Sequence, residues 1–292
     1  MKRLILTLVV AAAAIMGADA AEKTKTYDFG DIKGIHAGHS YTVYVTKGNS
    51  GKVKVIYDDR IESYMEVKYT RSSSTLSLQM DHLPLKYNVG DVASVKVYLE
   101  MDKISGINLS GAASVLFEGD FHAEELDIDL SGAANVKGLS VEGESLELDF
   151  SGAANADING DFSDSMELDM SGAANLRFCG NATFLNGEFS GACKFSAEGE
   201  YDDCTIECSG ASTVKLEGKG RKLYIEGSGA CKTDAEKFAV KDAKVYLSGS
   251  SKAMVNASGK ITHNVSRASK MVYYGDAELT DVGNESNIER GR

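Results

Sequence analysis

Tryptophan is absent and proline occurs once, at Pro84, in a chain of 292 residues that holds 30 glycines. So little proline beside so much glycine suits short strands joined by tight corners. After residue 20 no stretch reaches the roughly 18 consecutive apolar residues of a membrane helix, so no transmembrane span is expected in the mature chain. No cysteine directly follows the N-terminal apolar run, which argues against a lipid-anchored leader. Calcium loops of the Asp-x-Asp-x-Asp-Gly type and Gly-Gly-x-Gly-x-Asp repeats are missing. A Gly-x-Ser-x-Gly nucleophile elbow on a strand–turn–helix unit is missing too.

What is present begins with a leader. Lys2 and Arg3 precede an apolar run from Leu4 to Met16, and Ala18-Asp19-Ala20 offers a small-x-small cleavage pattern. Residues 1–20 therefore read as a signal peptide with a mature chain from Ala21. The expected location is outside the cytoplasm: periplasm, outer-membrane surface or extracellular space. Charge is uneven along that chain. Its net is −12, yet residues 105–190 hold 16 acids against Lys137 and Arg177, a net of −14. Residues 21–104 carry +1 and residues 191–292 carry 0. Such an acidic block excludes simple nucleic-acid binding through phosphates and leaves cations, basic partners or solubility.

The tetrapeptide Ser-Gly-Ala-Ala starts at Ser110, Ser131, Ser151 and Ser171. It varies to Ser-Gly-Ala-Cys at Ser190 and Ser228, Ser-Gly-Ala-Ser at Ser209, Ser-Gly-Ser-Ser at Ser248 and Ser-Arg-Ala-Ser at Ser266. The nine copies are spaced by 18 to 21 residues. Each follows an alternating strand, such as Leu126, Ile128 and Leu130, or Leu146, Leu148 and Phe150, with mostly polar residues between. A second short strand places one apolar residue after the corner, at Val115, Val136, Leu176, Phe195, Val214 and Met271. Leucine-rich repeats share the length but need a different pattern, and a propeller blade needs about twice the length. The fold expected is all-β: a single-stranded parallel β-helix, or β-solenoid, of about nine coils stacked at about 4.8 Å.

Residues 21–104 repeat less cleanly and read as irregular strands that form the first coils and a cap, because an open solenoid end invites aggregation. Eight of the 13 tyrosines lie there, and cap packing explains them best. The expected division is thus 1–20 leader, 21–104 first coils and cap, 105–275 regular repeats and 276–292 a C-terminal tail, frayed over Asn284 to Arg292.

Several motifs together resemble a known family. These are the Phe29 to Ile32 start, the segment Ile104-Ser-Gly-Ile-Asn-Leu-Ser-Gly-Ala, the repeated Ser-Gly-Ala-Ala corners and the closing Val272-Tyr-Tyr-Gly. They are similar to the GIN-type head domain of autotransporter adhesins, common in Bacteroides and its relatives, over Tyr27 to Asn284. The resemblance implies a right-handed parallel β-helix and an adhesive role.

Stacking turns sequence positions into columns. Two residues before successive corners lie Asp129, Asp149, Asp169, Glu188, Glu207 and Glu226, with Asp127, Glu147 and Glu167 beside the first three. Like charges about 5 Å apart repel unless screened or bridged. Divalent cations, calcium first, are one expectation, with Asp127, Asp129, Glu147, Asp149, Glu167 and Asp169 as ligands. A solvated acidic face is the plainer alternative. Asn135, Asn155 and Asn175 form another column, read as coil-to-coil hydrogen bonding, which continues as Lys194, Lys232, Lys252 and Lys270. Those lysines could meet acidic glycans. Cys193 and Cys231 fall two coils apart, and Cys204 and Cys208 lie along one strand, both beyond disulfide reach. Cys179 has no evident partner, so five buried free thiols are expected.

Catalysis has little to stand on. His36 and His39 form His-x-x-His without a helix or a third ligand. The carboxylates follow the repeat and single out no catalytic pair. Arg177 is the first suspect should the chain prove to be a polysaccharide lyase or hydrolase. The reading is a non-enzymatic, adhesin-like envelope or surface protein that presents a rigid platform to a glycan or protein. The alternatives are a β-helix glycan-cleaving enzyme and a structural periplasmic protein without a ligand.

Overall fold

Alternating residues in an extended chain point to opposite sides, so each repeat can bury one side only by stacking on its neighbours. The computed structural model describes residues 22–87, 94–266, 268–282 and 287–291. The leader expected at residues 1–20 lies outside the described residues. The chain is a β-solenoid. A long extended run such as Asn135–Phe150 forms most of one coil and pairs in parallel with Asn155–Met170 in the next. Three inward columns pass down one side of the stack. The first runs Leu126, Leu146, Met166, Leu185, Cys204, Leu223, Ala243 and Ile261. The other two pass through Ile128, Leu148 and Leu168, and through Leu130, Phe150 and Met170. All are buried. Each such side chain contributes roughly 1.5–3 kcal/mol by leaving water.

The tetrapeptide is the corner, and its composition follows from backbone stacking. Gly132, Gly152 and Gly172 have φ of 71°, 71° and 76°, which L side chains adopt only with strain. The carbonyl of each accepts a 2.7 Å hydrogen bond from the Ala one coil on, as Ala153 to Gly132 and Ala173 to Gly152. A β-carbon on Gly152 would lie 2.6 Å from the Gly132 oxygen. The fourth place of each corner points into the tight interior and is buried as Ala134, Ala154, Ala174, Cys193, Ser212, Cys231, Ser251 and Ser269.

The N-terminal strands are β1 (Glu22–Asp28), β2 (Gly34–Ala37), β3 (Tyr41–Lys47), β4 (Lys52–Asp58), β5 (Met65–Thr70), β6 (Thr75–Met80), β7 (Val95–Met101), β8 (Gly106–Leu109) and β9 (Ser114–Glu118). Chain order and stacking order differ here. β2 lies between β6 and β8, and β3 between β7 and β9, all parallel. The first coil is therefore inserted between two later ones. Outside it, β5 pairs antiparallel with β6, β4 with β7 and β1 with β4. A 3-10 turn over Asp59–Tyr64 buries Ile61, and Glu62 holds Lys23 and Lys25 of β1 at 3.0 and 2.7 Å.

The C-terminal end departs from expectation. Ile288–Arg290, inside the stretch expected to fray, pairs with Met271 to Tyr273, and Glu278–Asp281 before it continues the stack on Lys260 to His263. Lys270 reaches Glu289 at 2.7 Å and Arg290 reaches Asp276 at 2.7 Å, so the last strands are tied to the coil beneath them. All five cysteines are free, but Cys179 is half-buried rather than buried. Its strand ends at that residue.

Candidate functional site

Strand alternation carries the chemistry to two outward faces, one on each side of the corner. On the face before the corner, the register aligns Asp129, Asp149, Asp169, Glu188, Glu207 and Glu226 in one column, and Asp127, Glu147 and Glu167 in the next. The six carboxylates expected as cation ligands thus fall into two adjacent ladders. Asn108 donates a 2.7 Å hydrogen bond to Asp129 at the head of the longer one. Desolvation, then Asp129, holds the Asp127 carboxyl above its ordinary value. Asp149 is shifted the same way, by desolvation and then by Asp129, Asp169 and Asp127. Burial and, after it, the neighbouring carboxylates thus both disfavour the charged forms of Asp127 and Asp149. Among the described residues no group of three or more His, Cys, Asp or Glu is placed to hold a metal ion. A groove of about 300 Å³ runs beside the lower ladder, between Glu188, Glu207 and Glu226 and the corner serines Ser190, Ser209 and Ser228.

The face after the corner is chemically mixed. Asn135, Asn155, Asn175, Lys194 and Thr213 form one column. Asn175 donates 3.0 Å to Asn155, the coil-to-coil bond that the sequence led us to expect. Asn135 and Asn155 instead donate to the corner carbonyls of Ala133 and Ala153, at 2.8 and 2.9 Å. The side chain thereby closes its own corner, the same local bond that makes Asn a turn residue. Two positions further along each strand stand Lys137, Asp157, Arg177 and Ser196. Between these columns lies a groove of about 390 Å³, the larger of the two, floored by the strand backbone, since Val136, Ala156, Leu176 and Phe195 turn into the core. Arg177 and Asp157 face each other across one coil step at 3.9 Å and stay 70 % and 52 % exposed, so both keep bonding capacity for a ligand.

The remaining sequence candidates separate. His36 lies on an outward strand position against Gln79, at 3.2 Å, whereas His39 sits in the corner at φ 55°. They form no ligand pair. Lys232 and Lys252 are exposed on the column that begins with the asparagines, and Lys270 is tied to Glu289. Arg177, singled out by its isolation among acids, does line the larger groove. Asp157 and Lys137 were missed as its neighbours. Their signal was available as a charge alternation, Lys137, Asp157, Arg177, two residues after each Asn.

The family model described as "Putative auto-transporter adhesin, head GIN domain" matches residues 31–180 and 163–277. Among solved structures, a putative adhesin from Parabacteroides merdae is similar, with a TM-score of 0.51 at 15% identity, over 93% of this chain and 96% of that one. A putative lipid binding protein from Parabacteroides distasonis gives a TM-score of 0.50 at 14% identity, over 93% and 97%. At these identities the likeness concerns the fold. No curated protein matches the chain.

Proposed function

The chain belongs to the GIN head-domain family of auto-transporter adhesins, and on that premise we propose that it is a surface-exposed binding protein that holds a linear glycan along its solenoid. The observation that carries this reading is the 390 Å³ groove after the corner. It offers carboxamides at Asn155 and Asn175 and an exposed guanidinium–carboxylate pair at Arg177 and Asp157. Amide and charged planar groups form paired hydrogen bonds with vicinal hydroxyls. The groove runs along the stack, so successive coils meet successive sugars. Binding is the function here, without bond cleavage.

Calorimetric titration of the protein with linear glycans tests it. Arg177→Ala is expected to lower the affinity of the bound glycan at least tenfold with the melting temperature unchanged; equal affinity in that variant would sink the groove. Protease shaving of intact cells tests the location, since a protected protein cannot act as an adhesin. A second reading concerns the opposite face. Calcium bridging Asp127, Asp129, Glu147, Asp149, Glu167 and Asp169 is supported by the raised carboxyls of Asp127 and Asp149, which a cation would relieve. Millimolar calcium then raises the melting temperature, and an unchanged transition removes this reading.

A further inference from the structure

Two inward positions flank each corner: the residue just before its serine and the fourth residue of the tetrapeptide. The pre-corner residue of one coil lies against the fourth residue of the next. At one step of the stack both are cysteine, Cys208 and Cys231, 5% and 2% exposed. The Cys231 thiol donates to the Ser228 carbonyl of its own corner at 2.9 Å. Their spacing can be read one coil further on. Gly227 is the next residue in register after Cys208, and Lys232 pairs with Lys252, so Ser251 stands where Cys231 stood. A β-carbon built on Gly227 lies 3.3 Å from the Ser251 β-carbon. Disulfides join β-carbons roughly 3.5–4.5 Å apart, so this step of the stack is at bonding range with a few tenths of an ångström of relaxation.

We propose that Cys208 and Cys231 form an inter-coil disulfide when the chain folds under oxidising conditions. The sulfur–sulfur bond replaces two S–H bonds. The two protons pass to solvent, and the two electrons pass to an external disulfide, small-molecule or protein, which leaves as two thiols. Burial sets the timing. Desolvation pushes the Cys208 thiol up to about 12, so thiolate is scarce once the coils have closed. The bond forms as these coils assemble, and the folded stack then shields it from reductants. It covalently staples the coils on either side of the Ser228 corner, two coils beyond the end of the acidic block.

The test is refolding of the full chain in a mixture of oxidised and reduced glutathione, denaturation without reductant, and alkylation. Three of the five cysteines are expected to be alkylated. Trypsin then yields residues 195–215 linked to residues 223–232, because Lys194, Lys215, Lys222 and Lys232 bound these peptides. The link is expected to persist in Cys204→Ala, which excludes the other cysteine of the first peptide, and to vanish in Cys231→Ser. That variant folds, since serine is native at the same place in the coils on either side, Ser212 and Ser251. Five alkylated cysteines after oxidative refolding overturn the proposal, as does a link that is lost in Cys204→Ala.

Discussion

The N-terminal end and the regular coils share one core but solve the same problem with different chemistry. In the regular coils each corner stacks on another, and the left-handed position is glycine from Gly111 through Gly249. In the inserted first coil the same column begins with His39, at φ 55°, and the backbone of His39 lies 3.0 Å from where a Gly111 β-carbon would stand. Glycine is therefore demanded where another backbone lies beneath, more than by the turn itself. Charge differs in the same way. The end pairs opposite charges, with Glu62 between Lys23 and Lys25, whereas the coils stack like charges in Asp129, Asp149 and Asp169. Where the repeat places the same residue type over itself, as in this ladder, a favourable outward charge in one coil becomes repulsion in the next, whereas columns that vary, as at Asp157 and Arg177, pair opposite charges. An antiparallel end has no such constraint.

The comparison breaks most sharply at Gly152. A β-carbon there is strained by φ and meets the Gly132 carbonyl, so Gly152→Ala is expected to cost about 3 kcal/mol in urea denaturation. A loss below about 1 kcal/mol would show that the corners slide easily and that stacking does not select glycine. Glu62→Gln comes next, with a loss of about 0.5–1 kcal/mol at neutral pH, as befits a partly exposed ion pair. Lys25 and Lys23 hold the Glu62 carboxyl down to about 2, against 4.5 for a free one. Its contribution is whole above about pH 4.5 and fades as the pH falls towards 2.

Asp149→Asn should act in the opposite direction, raising stability by about 0.5 kcal/mol at neutral pH through relief of like-charge stacking. Because its folded carboxyl is raised, its ionisation disfavours the folded state, and acidification through the carboxylate range removes that cost. Thermal melts of the two variants from pH 3 to pH 7 would therefore diverge from wild type in opposite senses. Parallel curves would abolish the contrast between end and coils. The smallest effect is expected for His39→Gly, within about 0.5 kcal/mol of wild type, since relief of the left-handed backbone and the added chain entropy nearly cancel.

How far the candidate site was legible depends on the distance over which its parts are specified. The acidic ladders and the Asn155–Asn175 column follow from counting back or forward from each corner, and the register bears out both alignments. The groove beside Arg177 does not follow from counting, because its walls are two columns on one side of the strand and its partner Asp157 comes from the coil before. The cysteines show the same boundary. Comparing like positions sets Cys193 against Cys231, and following one strand sets Cys204 against Cys208. The register instead brings unlike positions of consecutive coils together, Cys208 and Cys231.

By itself the sequence determined the coil length, the side of each strand that faces inward and the corners where the chain bends. All three are written locally: alternation operates between residues two apart, and each corner carries its own glycine and small residues even though stacking is what demands them. Tertiary structure alone decided that the first coil inserts between β6–β7 and β8–β9, that the last strands rejoin the stack, and which side chains meet across coils. Those outcomes depend on where each coil gains or loses a residue, as its length moves between 18 and 21, and a stack settles that only when neighbouring coils close on each other.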